Sequence, residues 1–397
     1  MAPDSARPDA DDVRIAVIGL GLRGSIVDAA HRPGAGSRVV ALCDLDITRL
    51  ARWAARITPG PWTTTDYRRL LDAPDVDAVV VATPDHTHEA LVVDCLTAGK
   101  VTFAEKPLAV TTAGCDRILA TARRTGTRLY VGHNMRHFPM VRLLKRLVDD
   151  GAIGEPKTIW CRHFVGHGGD FYFKDWHAER ANTTGLLLQK GAHDLDVIHW
   201  LAGGVSRLVQ GMGTLAVYGA SPHRHNGTTP ADWFDPARWW PPSAQRGLNP
   251  VIDVEDLSLV NARLDNGVLA AYQQCHFSPD YWRNYTVIGT EGRLENHGDV
   301  EGVVRLWNRR QGFTEHGDHE FAFSPGDGGH GGADEALLAE FARFARDGGR
   351  TDTSPVGARE AVAAGCAATE SLRNGGIPVA VAAPDPADVA WFAGGQA

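Results

Sequence analysis

The chain has 397 residues, 43% of them hydrophobic and 22% charged, which excludes a disordered or collagen-like chain and suits two or three globular domains. Forty Lys and Arg stand against 48 Asp and Glu, a formal net charge of -8. That balance argues against nucleic acid or an anionic membrane as partner, since both recruit basic patches, and no apolar run reaches the roughly 18–20 residues that span a bilayer.

Residues 1–12 are rich in Pro, Asp and Ala and read as a flexible tail, without the basic start and apolar stretch of a secretory signal. Val13 to Ile18 is a nearly continuous β-branched run, the mark of a strand buried on both faces. It leads into Gly19-Leu-Gly21-Leu22-Arg23-Gly24, a helix-like stretch, and a second strand over 38–43 that ends at Asp44. In a dinucleotide-binding turn Gly19 permits the tight bend, Gly21 admits a pyrophosphate, and Gly24 lets the helix pack on the strand. The acid at Asp44 would bind ribose hydroxyls and repel a 2′-phosphate, so NAD is expected rather than NADP.

Further buried strands follow at 77–82, 101–104 and 129–133, with helical stretches between them. This alternation predicts parallel βαβ units. Ligands of such sheets lie beyond the carboxyl ends of the strands. Gly19, Asp44, Thr83, Glu105, Lys106, His133 and Asn134 all fall there.

After residue 150 the pattern changes. Runs at 156–164, 206–213, 257–264, 268–275, 285–289 and 303–307 read as strands, with Asn266-Gly267 as a hairpin turn, and consecutive hairpins predict an antiparallel sheet. The fold class is therefore α/β plus α+β: a doubly wound parallel sheet over 13–134, then a domain on an open, mainly antiparallel sheet over 135–380. Residues 219–255 form an insertion rich in Pro and Trp, either a sugar-facing aromatic surface or a small satellite core or subunit contact. Helices are expected over 333–348 and 354–373, and residues 381–397 read as a tail or an arm onto a neighbour.

These residues resemble the Gfo/Idh/MocA oxidoreductases, the family of glucose–fructose oxidoreductase and inositol dehydrogenase. The resemblance rests on Val17-Ile-Gly-Leu-Gly21, Asp44, Thr83-Pro-Asp with His88, Ala104-Glu-Lys-Pro107 and Gly191-Ala-His193-Asp-Leu-Asp196. It covers most of the chain and implies NAD as cofactor, with Gly19, Gly21, Leu22, Arg23, Gly24, Asp44, Thr83, Pro84, Asp85, His88, Glu105 and Lys106 around it. It also implies a small carbohydrate substrate and a homodimer or homotetramer formed through the second sheet. Two positions depart from the family pattern: Gln189 stands where many relatives have Asp, followed by Lys190, and Asp85 stands where Asn is usual.

Lys106 and His193 are the expected proton carriers, with Lys190 as a third candidate. Asn134, Arg136, Trp176, His177, Lys190, Asp194 and Asp196 are expected to meet substrate. Lys190, His193 and Asp194 or Asp196 fall near one helix face by spacing. No metal is expected. The six cysteines (Cys43, Cys95, Cys115, Cys161, Cys275, Cys366) form no Cys-x-x-Cys pair and fit a reducing cytoplasm. The leading expectation is an NAD-dependent dehydrogenase acting on a secondary alcohol of a sugar, sugar derivative or cyclitol. The alternatives are a redox-assisted glycosidase that returns its hydride, and a non-catalytic regulator that senses sugar and NAD.

Overall fold

The computed structural model describes residues 12–227, 234 and 239–396. The expected N-terminal tail thus lies, apart from Asp12, outside the described residues, as does Trp233 of the insertion. The first part runs β1 (Val13–Ile18), α1 (Ile26–Ala30), β2 (Ser37–Cys43), α2 (Ile47–Ala54), β3 (Trp62–Thr64), α3 (Arg68–Leu71), β4 (Ala78–Val81), α4 (His88–Thr97), β5 (Val101–Ala104), α5 (Thr112–Thr125) and β6 (Leu129–Val131). All these strands pair in parallel, in the order β3-β2-β1-β4-β5-β6. The order reverses between β1 and β4, which opens a crevice at their carboxyl ends.

The second part runs α6 (Pro139–Asp149), β7 (Pro156–Phe164), α7 (Gly168–Tyr172), α8 (Arg180–Thr183), α9 (Leu186–Gln189), α10 (Gly191–Ala202), β8 (Ser206–Thr214), β9 (Leu257–Leu264), β10 (Leu269–Cys275), β11 (Trp282–Gly289), β12 (Arg293–His297), β13 (Gly302–Trp307), β14 (His319–Phe323), α11 (Ala333–Asp347), α12 (Pro355–Arg373), β15 (Val379–Ala380) and α13 (Pro386–Ala393). Its sheet has the order β14-β13-β12-β11-β7-β10-β9-β8-β15. Every pair is antiparallel except β7 with β10, so the sheet is mixed at its centre. The Asn266-Gly267 turn joins β9 to β10 as expected, with Gly267 at φ 85°.

The inner face of this sheet packs on α6, α10 and α12 through Leu144, Val197, Ile198, Val260, Tyr285 and Ala368. The outer face carries Trp160, Met212, Leu259 and Leu269, each at least 45% exposed. The described part of the insertion folds into a satellite core, where Tyr218, Leu248 and Val254 join Phe173, Ala178 and Leu186. Asp256 closes its base by accepting the backbone N–H groups of Ala216, Val217 and Tyr218.

Helix α11 covers the first sheet. The N-terminal segment supplies only α1 and α2 to one sheet face, and these cover β1 and β2. Phe103 of β5 and Tyr130 of β6 would stay bare there, and Phe341 of α11 closes on both at ring distances of 5.4 and 5.6 Å. The C-terminal residues, expected as a tail or an arm, also fold back: Phe392 of α13 joins the core on the opposite face. Arg123 of α5 pairs with Asp388 at 2.6 Å. The Gln396 amide pairs with both backbone groups of Leu129, at 2.8 and 3.0 Å, and so caps the open edge of β6.

Candidate active site

The loop after β1 is built by its three glycines. Gly19 has φ 93°, and a Cβ there would lie 2.6 Å from the Ala82 carbonyl oxygen. A Cβ on Gly24 would lie 2.8 Å from Trp53 Nε1, whereas at Gly21 the nearest atom is 3.9 Å away, on Arg49. One glycine is thus needed for the turn, one for packing, and one borders open space where a diphosphate backbone fits. Asp44 follows β2; its carboxylate accepts N–H bonds from Leu20 at 2.7 Å and Asp46 at 2.8 Å. The residues fit an adenine dinucleotide: a bare loop for the phosphates and a carboxylate at the ribose end. Leu22 is exposed at the loop tip.

Arg23 lies two residues after the loop's second glycine. Its guanidinium donates to Glu105 at 2.7 Å and Asp334 at 2.9 Å, which ties the loop to β5 and α11. Burial between these two carboxylates still leaves its pKa raised. The Asn134 side-chain amide likewise donates to Asp334, at 3.0 Å.

At the end of β4, Thr83 bonds Thr87 through their hydroxyls at 2.6 Å, and Pro84 opens the short turn Asp85–Thr87. His88 is buried, with its ring nitrogens 2.7 Å from the Pro107 carbonyl and 2.9 Å from that of Thr83. It staples the β4 and β5 loops together and does not face the crevice. Glu105 accepts from Arg23 and from the Lys106 backbone N–H at 2.9 Å. The Lys106–Pro107 peptide is cis, and Lys106 Nζ donates to the Gln189 carbonyl at 3.2 Å. Burial pushes the Lys106 pKa down, against the pull of Asp85 and Glu105. Burial pushes Asp85 up, to about 8.

Lys190 sits at the junction of α9 and α10, with Nζ 5.4 Å from the Tyr172 ring centre. Burial and the nearby Arg283 and Lys106 charges hold its pKa well below the usual lysine range. His193, in the first turn of α10, is 8% exposed and lies edge-on to His133 at 6.2 Å. Burial, then the Lys106 charge, push its pKa well below that of a free histidine. Trp176 stacks on His177, and His177 meets Asp175 at 2.6 Å; with Tyr172 they form an aromatic wall near Lys190.

Arg136, Asp194 and Asp196, expected to meet substrate, have protein partners in the structure. Asp196 accepts a bidentate pair of bonds from Arg136, both at 2.7 Å. Asp194 is fully buried and bonds His163 and Tyr272 at 2.8 Å, Tyr285 at 2.6 Å, and faces Arg283 at 3.0 Å. Helix α10 is buried almost all round, so spacing along it does not by itself single out one face.

The site also contains groups the sequence reading missed. Gln274, His163 and Arg283 are cross-strand neighbours on β10, β7 and β11. Among the described residues, buried atoms without a hydrogen-bond partner include Gln274 Nε2, His163 Nε2, both ring nitrogens of His276, Asp299 Oδ1, His193 Nδ1, Gln189 Oε1 and Asp85 Oδ2. Such a concentration around two lysines is the signature of a polar ligand site, because buried polar groups otherwise find partners. The signal was present: Tyr272, Gln274 and His276 alternate, so they share one strand face.

The buried histidines set an acid limit on stability. Burial lowers His163 to about 3 and His137 and His199 to about 4, against about 6.5 when unfolded. Between those values the unfolded chain binds protons that the folded chain does not, so stability falls as pH drops below about 6.5. The melting temperature is expected to fall steadily from neutral pH to about pH 4; a flat profile would contradict the buried neutral rings.

Comparison with known proteins agrees with this geometry. Residues 13–133 match the family model described as "Oxidoreductase family, NAD-binding Rossmann fold", and residues 141–295 match the GFO/IDH/MocA C-terminal domain. The chain belongs to the GFO/IDH/MocA family of oxidoreductases, and its first domain is that family's NAD-binding domain. Inositol 2-dehydrogenase 1 of Saccharopolyspora erythraea is 38% identical over 191 residues, 48% of this chain and 54% of that protein. Inositol 2-dehydrogenase of Burkholderia multivorans is 38% identical over 193 residues, 48% of this chain and 55% of that protein. The chain thus spans about half the length of the curated relatives it matches. Among solved structures, levoglucosan dehydrogenase in complex with NADH superposes with a TM-score of 0.76 at 20% identity, covering 94% of this chain and 100% of that one. Myo-inositol 2-dehydrogenase of Lactobacillus plantarum gives 0.70 at 20% identity, again over 94% and 100%. These two likenesses speak to the fold. No described helix is long and apolar enough to cross a membrane.

Proposed function

We propose that the chain is an NAD-dependent dehydrogenase that oxidises a secondary alcohol of a sugar, sugar derivative or cyclitol. The observation that carries this reading is the cluster of buried polar atoms without partners, among them His193 Nδ1 and Gln189 Oε1, beside the Lys106 amine that donates to the Gln189 carbonyl, with burial pushing the pKa values of Lys106 and His193 down. When bound, NAD supplies the hydride acceptor. Lys106 Nζ, as a free amine, takes the hydroxyl proton; the neutral His193 ring assists as a second acceptor. Glu105 and the Gln189 carbonyl hold the Lys106 backbone and side-chain amine in place. The unpartnered groups of His163, Gln274, His276 and Asp299 offer donors and acceptors to a ring bearing several hydroxyls. The named activities of the relatives, inositol 2-dehydrogenases and a levoglucosan dehydrogenase, support a polyhydroxylated ring.

The test is NADH formation by the purified protein with NAD and a panel of cyclitols, sugars and anhydrosugars. No turnover of any alcohol, with tight sugar binding, would favour a regulator instead. The nucleotide preference rests on Asp44. Asp44→Asn is expected to narrow the preference for NAD over NADP by about tenfold or more in kcat/KM, because the carboxylate that repels a 2′-phosphate is gone. An unchanged ratio would remove Asp44 from nucleotide selection. The exposed apolar outer face of the second sheet supports a homodimer or homotetramer, and six unpaired cysteines support a cytoplasmic location.

A further inference from the structure

The dinucleotide loop runs from β1 into α1, which is five residues long and has no side-chain cap at Ser25. A helix of that length is not stable alone and supplies little dipole to a diphosphate. The loop is therefore held by contacts from outside it. At its start, Asp44 accepts the Leu20 N–H at 2.7 Å. At its end, the Arg23 guanidinium forks onto the Asp334 carboxylate, Nη1 to Oδ2 at 2.9 Å and Nη2 to Oδ1 at 3.2 Å, while Nε donates to Glu105 at 2.7 Å. Asp334 is 4% exposed and stands in the first turn of α11, 311 positions from Arg23. Helix α11 also packs on α1, where Leu337, Leu338 and Phe341 share a core with Ile26 and Val27.

We propose that Asp334 and Arg23 are the positioning pair that sets the dinucleotide loop for the diphosphate of NAD, so that α11, from the far end of the chain, tunes cofactor affinity. The pair acts through the loop backbone, whose open face at Gly21 is where a diphosphate fits. Two features separate this role from packing alone. The fork is bidentate, which fixes the direction of the guanidinium as well as its distance. The same two carboxylates also hold the neighbouring strand ends. Asp334 Oδ1 accepts from the Asn134 amide after β6 at 3.0 Å, and Glu105 Oε2 accepts from the Lys106 backbone N–H after β5 at 2.9 Å. The second oxygen of Asp334 lies 2.7 Å from His330 Nδ1, which completes its set of partners. Loop, β5, β6 and α11 thus share one polar junction. The proposal rests on the NAD-binding domain and not on the identity of the substrate.

The test is NADH binding to the full chain, read by fluorescence, with competition by ADP-ribose and by adenosine. Asp334→Asn keeps the shape of the side chain and leaves Arg23 paired with Glu105, so the fold is retained. It is expected to weaken NADH and ADP-ribose about tenfold, the worth of one charge-assisted hydrogen bond, and to leave adenosine, which has no diphosphate, within about twofold. Arg23→Lys, which keeps the charge and loses the fork, is expected to show the same selective loss. Glu340→Gln is the control for simple loosening of α11. Glu340 accepts from the Tyr130 hydroxyl at 2.6 Å, on the same helix and away from the loop. That variant is expected to lower the melting temperature and leave NADH affinity unchanged. Unchanged NADH affinity in Asp334→Asn, an equal loss for adenosine, or an equal loss in Glu340→Gln overturns the proposal.

Discussion

Lys106→Met is expected to lower kcat by about 10²–10⁴-fold, the usual contribution of a positioned proton carrier, while NADH still binds. The side chain keeps its length and loses only its amine. Lys106 Nζ touches the Gln189 carbonyl and none of the glycine loop or Asp44, so the nucleotide site should survive. The loss should appear in kcat and kcat/KM together, because the amine acts on the reacting proton and not on ground-state binding. The acid limb of the pH–rate profile should vanish as well. Steady-state kinetics and NADH fluorescence titration check these outcomes. A variant within about threefold of the parent would assign proton transfer to His193 alone.

Asp194→Asn is expected to destabilise the fold by about 3–5 kcal/mol, the cost of breaking a buried ion pair from one side. Asp194 is fully buried and faces Arg283 at 3.0 Å, and it accepts from Tyr285, Tyr272 and His163. These partners reach from β11, β10 and β7, so one carboxylate pins α10 to the centre of the second sheet. Removing its charge leaves the Arg283 guanidinium buried without compensation. The Arg283 charge and the hydrogen bonds from His163 and Tyr285 hold the Asp194 pKa well below the usual carboxylate range, against burial. A depressed carboxylate stabilises above its unfolded pKa of about 3.9 and loses that contribution as pH falls toward the folded value. Denaturant unfolding at neutral pH measures the difference. A loss under about 1 kcal/mol, as at an ordinary exposed site, with weakened substrate binding would instead restore Asp194 as a substrate contact.

The first sheet was legible because its strands are short apolar runs punctuated by glycine and Asp44, and each motif sits at a strand end. β3 escaped because it is three residues at a sheet edge. β12, β14 and β15 escaped because they alternate with charged or small residues and lie toward the sheet edges. The closure of the first core by α11 could not be read locally, since Phe341 meets Phe103 and Tyr130 only in three dimensions. Within the candidate site, Lys106, His193 and Lys190 are proposed from motif and position. Arg23, Asn134, Arg136, Asp194 and Asp196 are expected near ligands because they lie beside those motifs, and the structure adds protein partners that the motifs do not disclose. Those partners, such as Asp334 and Arg283, lie far along the chain. The polar ladder of Gln274, His163 and Arg283 depends on strand register, which a sequence alone leaves open.

The measurement that bears most directly on the central claim is NADH formed per substrate consumed, with purified protein and NAD. The proposed dehydrogenase yields one NADH for each alcohol consumed, and Lys106→Met abolishes both. Substrate consumed with no accumulation of NADH would contradict it and point to oxidation, bond cleavage and re-reduction within one site. In that case Lys190, buried and disposed to be neutral beside Tyr172, becomes the residue to replace next.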